Sequence, residues 1–442
     1  MYVWGSLCAD WVWLPPPGMA AAHWQLPQLA FALSQHHRVG AASPAHQLPH
    51  ELVREVLLRV CAEEVTDHAL VLCIGGVSDP SVHRGQLDTV EGLWLVASHS
   101  SLTRHHRLGS LPALCRPRSC HGAAYSPLAR SLLVLGGRCA AETPSPDLLC
   151  ERLRCMEPSS GTAGAAWGSA LSEWSRAERA LSDGAWSPCP APCPQPEPER
   201  PASGVARERA SAVALHDGRI MVMGGLGARL EPLRDCWVYD PAEPDTAAAW
   251  RAVAPMRSAR CDFGATILCD GTVVVAGGVD NGSRLRAAER YSPETDTWQP
   301  AGSLGQPRRG CSLAALPAAL GGGALALGGG ATATAGLGEA LRSCERLCLG
   351  AQQRPIWRPS LPLVVARQFA AVVTLSSCVL ILGGSDGKQH LRSVELAQLE
   401  AVCAEPPSDR HGGSPCAGRW ELMPEGELSL ELPRSQFAAV VI

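Results

Sequence analysis

Arginine is the residue type whose placement in this 442-residue sequence most suggests chemistry. Six arginines each open a short apolar segment, as in Arg260-Cys-Asp-Phe-Gly-Ala-Thr and Arg367-Gln-Phe-Ala-Ala-Val-Val. The six are Arg118, Arg209, Arg260, Arg309, Arg367 and Arg434. A guanidinium group donates paired hydrogen bonds in a geometry that suits carboxylate or phosphate. If the six segments occupy equivalent places in a repeated fold, their arginines form a ring that attracts an anionic peptide.

Other reactive side chains lack the spacing that catalysis or metal binding requires. Cys189 and Cys193 lie in a Pro-rich stretch without a second Cys/His pair at zinc-ligand spacing. Within His36-His37 and His105-His106 the residues are adjacent, and adjacent residues of a strand point to opposite faces. The glycine-rich segment 321–330 lacks the Lys-Ser/Thr that reaches a nucleotide phosphate. We therefore predict no metal, no cofactor and no enzymatic activity.

Composition argues against several other classes of function. A formal net charge of −4 and a pI of 6.4 provide no broad basic surface for nucleic acid or an anionic membrane. The sequence has no apolar window of about 18 residues, the length that a membrane-spanning helix requires. The 19 cysteines are scattered like small hydrophobic residues, which is typical of a reducing compartment. We expect a soluble protein of the cytoplasm or nucleus.

A short apolar run that ends in a glycine pair recurs six times along the chain. The first glycines of consecutive pairs are separated by 51 to 61 residues, except for one interval of 88 residues. The pairs are Gly75 and Gly76, Gly136 and Gly137, Gly224 and Gly225, Gly277 and Gly278, Gly328 and Gly329, and Gly383 and Gly384. An arginine segment precedes five of the pairs, and a third apolar segment follows. A fourth segment is marked by a tryptophan, namely Trp250, Trp298, Trp357 or Trp420. This pattern predicts four short strands in each unit.

Residues Arg260–Pro300 resemble a Kelch repeat most clearly. Asp270-Gly271 forms the predicted hairpin, Gly277-Gly278 ends the second strand, and Tyr291-Ser-Pro-Glu-Thr-Asp-Thr-Trp298 closes the unit. The resemblance extends over about residues 69–442 and implies an all-β fold, a six-bladed β-propeller with four strands in each blade.

The two ends of this region predict how the ring closes. Arg434–Ile442 is nearly a copy of the segment that begins at Arg367, but no glycine pair follows it. Gly75-Gly76, in turn, has no arginine segment before it. The C-terminal segment is therefore predicted to be the innermost strand of the first blade. The long interval contains a low-complexity insertion at about 157–201, within which Trp186 lies nearest the place expected for the second blade's tryptophan.

The segment before the predicted propeller has two parts. Residues 1–47 show no period and are predicted to be disordered. Residues 48–68 contain an amphipathic helix over 48–60, with Leu52, Val56 and Val60 on one face, and a linker. Its Leu-Pro-x-Glu-Leu start resembles the first helix of an F-box, which docks the Skp1 adaptor of a ubiquitin ligase. A lone helix packed on the propeller, or a connecting segment, is the alternative.

The Kelch resemblance implies a non-catalytic protein-interaction platform. In Kelch substrate adaptors, arginines at this position help to bind acidic peptide loops, so an acidic or phosphorylated peptide is the expected partner. The alternative for these arginines is that they brace loops through backbone carbonyls and neighbouring blades. Alternatives for the whole chain are a substrate-recognition subunit of a cullin-type ligase, an actin-binding scaffold, and a sugar-processing enzyme of the sialic acid mutarotase or galactose oxidase type.

Overall fold

The structure is a computed structural model of the whole chain. It describes residues 2–4, 11–13, 67–78, 85–97, 102–107, 111–139, 150–154, 181, 185–189, 207–227, 229–243, 249–331, 339–349, 354–403, 419–424 and 428–441. The chain divides into two compact units, Met1–Thr66 and Asp67–Ile442. In the first unit, Tyr2–Trp4 pairs antiparallel with Trp11–Trp13. The predicted helix over 48–60 lies outside the described residues, so it stays a prediction.

The second unit is the predicted six-bladed propeller, with six antiparallel sheets of four strands. We number the blades by their glycine pairs in chain order and give the strands of each from the innermost outwards. Blade 1 contains Ala438–Val441, Asp67–Ile74, Val90–Ala97 and Leu102–Arg107; blade 2 contains Gly122–Ser126, Ser131–Leu135, Cys150–Arg154 and Trp186–Cys189; blade 3 contains Ser211–Ala214, Ile220–Met223, Cys236–Tyr239 and Trp250–Val253. Blade 4 contains Gly264–Ile267, Val273–Ala276, Ala287–Ser292 and Thr297–Ser303; blade 5 contains Ser312–Ala315, Ala324–Leu327, Cys344–Cys348 and Ile356–Ser360; blade 6 contains Ala371–Thr374, Cys378–Leu382, Val394–Gln398 and Glu421–Leu422.

A few short elements lie between these strands. Two small two-stranded sheets form at the ends of blades 2 and 4, one from Arg118–Ser119 with Arg138–Cys139 and the other from Val279–Asp280 with Ser283–Arg284. A 3₁₀ turn covers Ala318–Leu320 in blade 5, and a short α-helix covers Leu399–Cys403 in blade 6. Among the described residues, no helix has the length and apolar character needed to cross a bilayer.

The apolar runs before the glycine pairs are the second strands, which are buried on both faces. Because successive side chains point to opposite faces, one strand packs against both neighbouring blades. In blade 1, for example, Val71 and Cys73 pack against blade 6, whereas Leu72 and Ile74 pack against blade 2. The described residues form six hydrophobic clusters, one at each interface between adjacent blades. A blade therefore has no core of its own and is stabilised by its neighbours.

The glycine pairs place each second strand against the next blade. All twelve glycines have positive φ, which residues with a Cβ rarely adopt. A Cβ on the first glycine of a pair would lie 2.1 to 2.7 Å from a backbone carbonyl oxygen of the next blade. The second glycine donates its N–H to that same carbonyl, as Gly278 does to Arg308 at 2.8 Å. Both the conformation and the close approach require glycine at these positions.

The C-terminal strand closes the ring as predicted. Ala438–Val441 pairs antiparallel with Asp67–Ile74, and Val440 lies opposite Leu72. The first blade thus combines the last described strand with three strands from the start of the propeller, which gives it four strands like the other blades.

Tryptophans on or beside the outermost strands link blades 2, 4, 5 and 6 to the preceding blade. The indole N–H of Trp298 donates to Ala254 O at 2.8 Å, and that of Trp357 donates to Ala301 O at 3.0 Å. In blade 2 this place is filled by Trp186, whose indole donates to Pro112 O at 2.9 Å. Trp186 is therefore the blade 2 tryptophan, and the rest of the predicted insertion falls almost entirely outside the described residues.

Candidate binding site

The structure places four of the six predicted arginines inside the blades. Arg118, Arg260, Arg367 and Arg434 are at most 1% exposed. Each donates to the carbonyl oxygen of the first glycine of its own blade and pairs with a carboxylate on the third strand. For Arg260 these contacts are 2.8 Å to Gly277 O and 2.5 Å to Glu289 Oε1.

Arg367 repeats this geometry, with 2.7 Å to Gly383 O and 2.6 Å to Glu395 Oε1. Burial lowers the pKa of Arg260 and of Arg367, and the paired glutamates act in the opposite direction. The four predicted binding residues Arg118, Arg260, Arg367 and Arg434 therefore do not lie on a binding surface. They instead match the alternative expectation for these arginines, since they brace the glycine loops through backbone carbonyls.

The assumed equivalence of the six arginines needs a correction in blades 3 and 5. There the buried place is filled by Arg207 and Arg308, which are 4% and 0% exposed. Arg207 donates to Gly224 O and pairs with Asp235, and Arg308 donates to Gly328 O and pairs with Glu345. The predicted residues Arg209 and Arg309 follow these by two positions and by one, so they leave the blade interior.

The acidic partners of the buried arginines did not emerge from sequence reasoning. They are Glu91, Glu151, Asp235, Glu289, Glu345 and Glu395. A usable signal was present, since Leu-Arg-x-x-Glu occurs at 285–289, 341–345 and 391–395 and a related Leu-Asp-x-x-Glu at 87–91. The glutamate carboxylates also accept backbone N–H groups from the loop that precedes the arginine, as Glu395 does from Val364 and Val365 at 2.7 and 2.9 Å.

Two residues beyond each buried arginine, the six blades meet in a closed circle of backbone hydrogen bonds. Each residue donates its N–H to the carbonyl oxygen of the equivalent residue in the preceding blade, over 2.7 to 3.2 Å. All six have φ between 53° and 60°. They are Cys120, Arg209, Asp262, Gly310, Phe369 and Gln436. This circle surrounds the central channel at the end of the blades that carries the glycine pairs, and we call it the mouth.

The side chains of the mouth line a cavity of about 130 Å³. Asp262, whose side chain is 5% exposed, accepts from Arg209 Nη1 at 3.3 Å and from Arg309 Nε at 2.8 Å. The two arginine side chains are 23% and 20% exposed, so they are buried enough to be oriented and open enough to be reached. The Arg309 guanidinium also lies 5.2 Å from the centre of the Phe369 ring, within range of a cation–π contact.

The charge around the mouth is positive on balance among the described side chains. Arg138 pairs with Glu208 at 2.9 Å, and Arg209 Nε lies 3.9 Å from the same carboxylate. Arg209 and Arg309 both contact Asp262, so three arginines share two carboxylates. Burial lowers the pKa of the neighbouring Arg284, and the positive charge of Arg309 lowers it further. The arrangement therefore presents cations that are held in place and only partly neutralised, a combination suited to an incoming anion.

Nucleophilic and proton-transfer groups at the mouth are held in their unreactive forms. Burial raises the pKa of the Cys120 thiol, and that of Cys261, to about 12, so both carry a proton at neutral pH and are poor nucleophiles. Burial and the charge of Arg118 lower the pKa of His121 to about 3. Among the described residues, no group of three or more His, Cys, Asp and Glu side chains has the geometry of a metal site.

Comparison with known proteins gives one family and several partial relatives. The Kelch motif family model matches residues 209–257 and 259–305, which cover blade 3 and most of blade 4. Kelch-like protein 40 of Mus musculus is 35% identical over 108 residues, which are 24% of this chain and 17% of that protein. Kelch-like protein 40 of Xenopus tropicalis is 32% identical over 104 residues, 24% of this chain and 16% of that protein.

An F-box/kelch-repeat protein of Arabidopsis thaliana is 33% identical over 106 residues, 23% of this chain and 27% of that protein. The matched part thus spans between a sixth and about a quarter of these relatives' lengths. The solved structure of YjhT aligns with 75% of this chain and 89% of its own, at 13% identity and a TM-score of 0.47.

The buried, neutral His121 predicts a loss of stability in mild acid. Its pKa is lowered from 6.5 to about 3 on folding, so the unfolded chain binds the extra proton across that window. The contribution of the neutral His121 to the free energy of unfolding is therefore retained above pH 6.5 and is lost as the pH falls below that value. Between pH 7 and 5 we expect a loss of about 2 kcal/mol in the free energy of unfolding.

Urea denaturation at the two pH values measures this loss. His121→Phe introduces the residue that blades 4 and 1 carry at this place, Phe263 and Phe437, and should remove most of the pH difference. The exposed His216→Asn variant is the control and should keep it. An equal pH difference in the wild type and His121→Phe would contradict the assignment.

Proposed function

Because this chain belongs to the Kelch-repeat family, we propose that it is a protein-interaction propeller that captures an acidic peptide segment at its mouth. The observation that carries the proposal is that two partly exposed arginines, Arg209 and Arg309, converge on the carboxylate of Asp262. Arg209 and Asp262 line a cavity to which several blades contribute. The binding face is thus built from two of the six arginines that the sequence indicated.

Asp262 supports the choice of a carboxylate as the ligand group. Its side chain already satisfies one donor of Arg209 and one of Arg309, which leaves further N–H groups on both guanidinium forks. A glutamate or aspartate of a partner can pair with these remaining donors, and the Phe369 ring offers an apolar surface beside them. The backbone circle fixes Arg209 and Asp262, and Asp262 in turn orients Arg309, which reduces the entropy lost when the peptide binds.

We also propose that the mouth binds without catalysing a reaction. The thiols of Cys120 and Cys261 are protonated and His121 is neutral and buried, so the titratable groups around the mouth lack an activated nucleophile. An actin-binding scaffold and a sugar-processing enzyme remain alternative predictions. Filament co-sedimentation tests the first of these, and measurable turnover of a sugar substrate tests the second.

Charge reversal at the mouth tests the peptide-binding proposal. We expect labelled nonapeptides with two or four glutamates to bind more tightly than a matched peptide with none, by fluorescence anisotropy. The Arg209→Glu/Arg309→Glu variant should weaken binding of the acidic peptides at least tenfold, because each lost charge-assisted hydrogen bond contributes about 1.5–3 kcal/mol. Raised salt should weaken the wild-type interaction in the same direction.

The matched control is Arg219→Glu, which reverses an exposed arginine in the blade 3 hairpin at the opposite end of the blades. It should retain wild-type affinity. Peptide binding that ignores glutamate content, or that survives reversal of both mouth arginines in a folded protein, would overturn the proposal.

A ubiquitin-ligase adaptor is the second candidate function. It is favoured by the Leu48-Pro49-His50-Glu51-Leu52 segment, which precedes the propeller, and by the F-box/kelch-repeat protein among the partial relatives. We expect affinity purification to recover Skp1 and a cullin with the full chain and to lose both with Leu52→Asp/Val56→Asp. Arg54→Asp, on the other face of the predicted helix, is the control that should keep them. Absence of Skp1 from the wild-type complex would exclude this role.

A further inference from the structure

The opposite end of blade 5 carries a second cluster of arginines. The hairpin between the first and second strands and the turn between the third and fourth strands both lie at the end of the blade away from the mouth. At this end of blade 5 the described residues line a cavity of about 230 Å³, among them Arg346, Arg354, Arg358, Leu349, Ile356 and Gly322. None of the described residues that line it is acidic.

Blade 4 shows how an arginine at this place is ordinarily neutralised. Arg290 follows the buried Glu289 on the third strand, and its guanidinium pairs with Asp270 of the blade's own hairpin. Its Nε also donates to Thr272 Oγ1 at 2.8 Å. Across the sheet, Arg290 lies opposite the neutral Gln299.

Blade 5 differs from blade 4 both in its hairpin and in the residue that lies across the sheet from the arginine. Arg346 follows the buried Glu345 and occupies the register position of Arg290, but here the hairpin is Gly321-Gly322-Gly323 and contains no carboxylate. Across the sheet, Arg346 lies directly opposite a second arginine, Arg358. Like charges in directly opposed positions of an antiparallel pair destabilise a sheet. Blade 5 therefore lacks the hairpin carboxylate that pairs with the equivalent arginine of blade 4.

The hydrogen bond that Arg346 makes does not neutralise the charge of its guanidinium group. Its Nη1 donates to the backbone carbonyl oxygen of Cys403, a neutral acceptor. Arg354, at the rim of the cavity, is exposed. Ile356 is 45% exposed beside them, so the cationic site adjoins an apolar surface. The ligand class that fits carries a compact anion next to an apolar group.

We propose that this cavity binds a phosphoryl group, carried by a phosphorylated serine or threonine with an apolar neighbouring residue. One carboxylate would neutralise only one of the two guanidinium charges of Arg346 and Arg354, whereas a phosphate monoester carries a charge of about −1.5 to −2 and three acceptor oxygens. Guanidinium forks are the donors suited to those oxygens. The absence of side chains in the triple-glycine hairpin leaves the approach to Arg346 open. This site lies at the other end of the blades from the mouth, so it is independent of peptide capture there.

Calorimetric titration of the full chain tests the site with three probes. They are a nonapeptide with a central phosphoserine flanked by leucines, the same peptide without phosphate, and inorganic phosphate. We expect the phosphopeptide to bind at least tenfold more tightly than the unphosphorylated peptide. Arg346→Gln/Arg354→Gln should reduce that affinity at least tenfold, and the exposed Arg354→Gln alone should reduce it measurably. Binding of inorganic phosphate alone, lost in the same variants, would support the phosphoryl site and identify free phosphate as the source.

Arg290→Gln is the matched control, because it removes the arginine at the same register position from blade 4, where Asp270 already pairs with it. Phosphopeptide affinity should change less than twofold in this variant, with the thermal midpoint of each variant reported beside it. Equal binding of the phosphorylated and unphosphorylated peptides would overturn the proposal. So would wild-type phosphopeptide affinity in the folded Arg346→Gln/Arg354→Gln variant.

Discussion

The propeller depends on one ion pair that each blade repeats, between a buried arginine before the first strand and a carboxylate on or just before the third strand. In blade 3 that carboxylate, Asp235, is partly exposed. In blade 6 the guanidinium of Arg367 joins three segments at once, since it reaches Gly383 O, Ser393 O and the Glu395 carboxylate. The pair is fully buried, so neither charge is tolerable without the other. The same arginine offers its carbonyl oxygen to Gly329 of the preceding blade, which carries the constraint from blade to blade.

The mouth follows from the fixed positions of these buried arginines. Because the buried arginines fix where each first strand begins, the residues two positions later come close enough to form the closed circle of backbone hydrogen bonds. All six positions have positive φ, and Arg209 and Asp262 of the circle meet in the cavity at the channel opening. The arginines that we propose to bind a partner are therefore positioned by arginines that are themselves buried.

The architecture could be predicted from the sequence because the repeat is defined by short sequence features whose conformational effects are local. Glycine pairs need positive φ, and second strands buried on both sides need continuous apolar runs, so both are visible without a structure. Closure followed from a count of segments, and Trp186 from spacing. Blades 3 and 5 broke the assumed equivalence of the six arginines, because each has two arginines close together, Arg207 with Arg209 and Arg308 with Arg309. Hairpins of different length, such as the triple-glycine turn of blade 5, make the spacing to the glycine pair too variable to decide between them.

The decisive difference between these arginines is a carboxylate roughly 28 to 37 residues further along the chain, which only the folded blade brings into contact. A double-mutant cycle on Arg367 and Glu395 tests whether that contact organises the fold. We predict that Arg367→Met costs about 3–5 kcal/mol of unfolding free energy, and that Arg367→Met/Glu395→Gln costs clearly less than the sum of the two single variants. The same cycle on the exposed Arg219–Asp217 pair should give a coupling of about 0.2–1 kcal/mol. Additive losses at Arg367 and Glu395 would contradict the account.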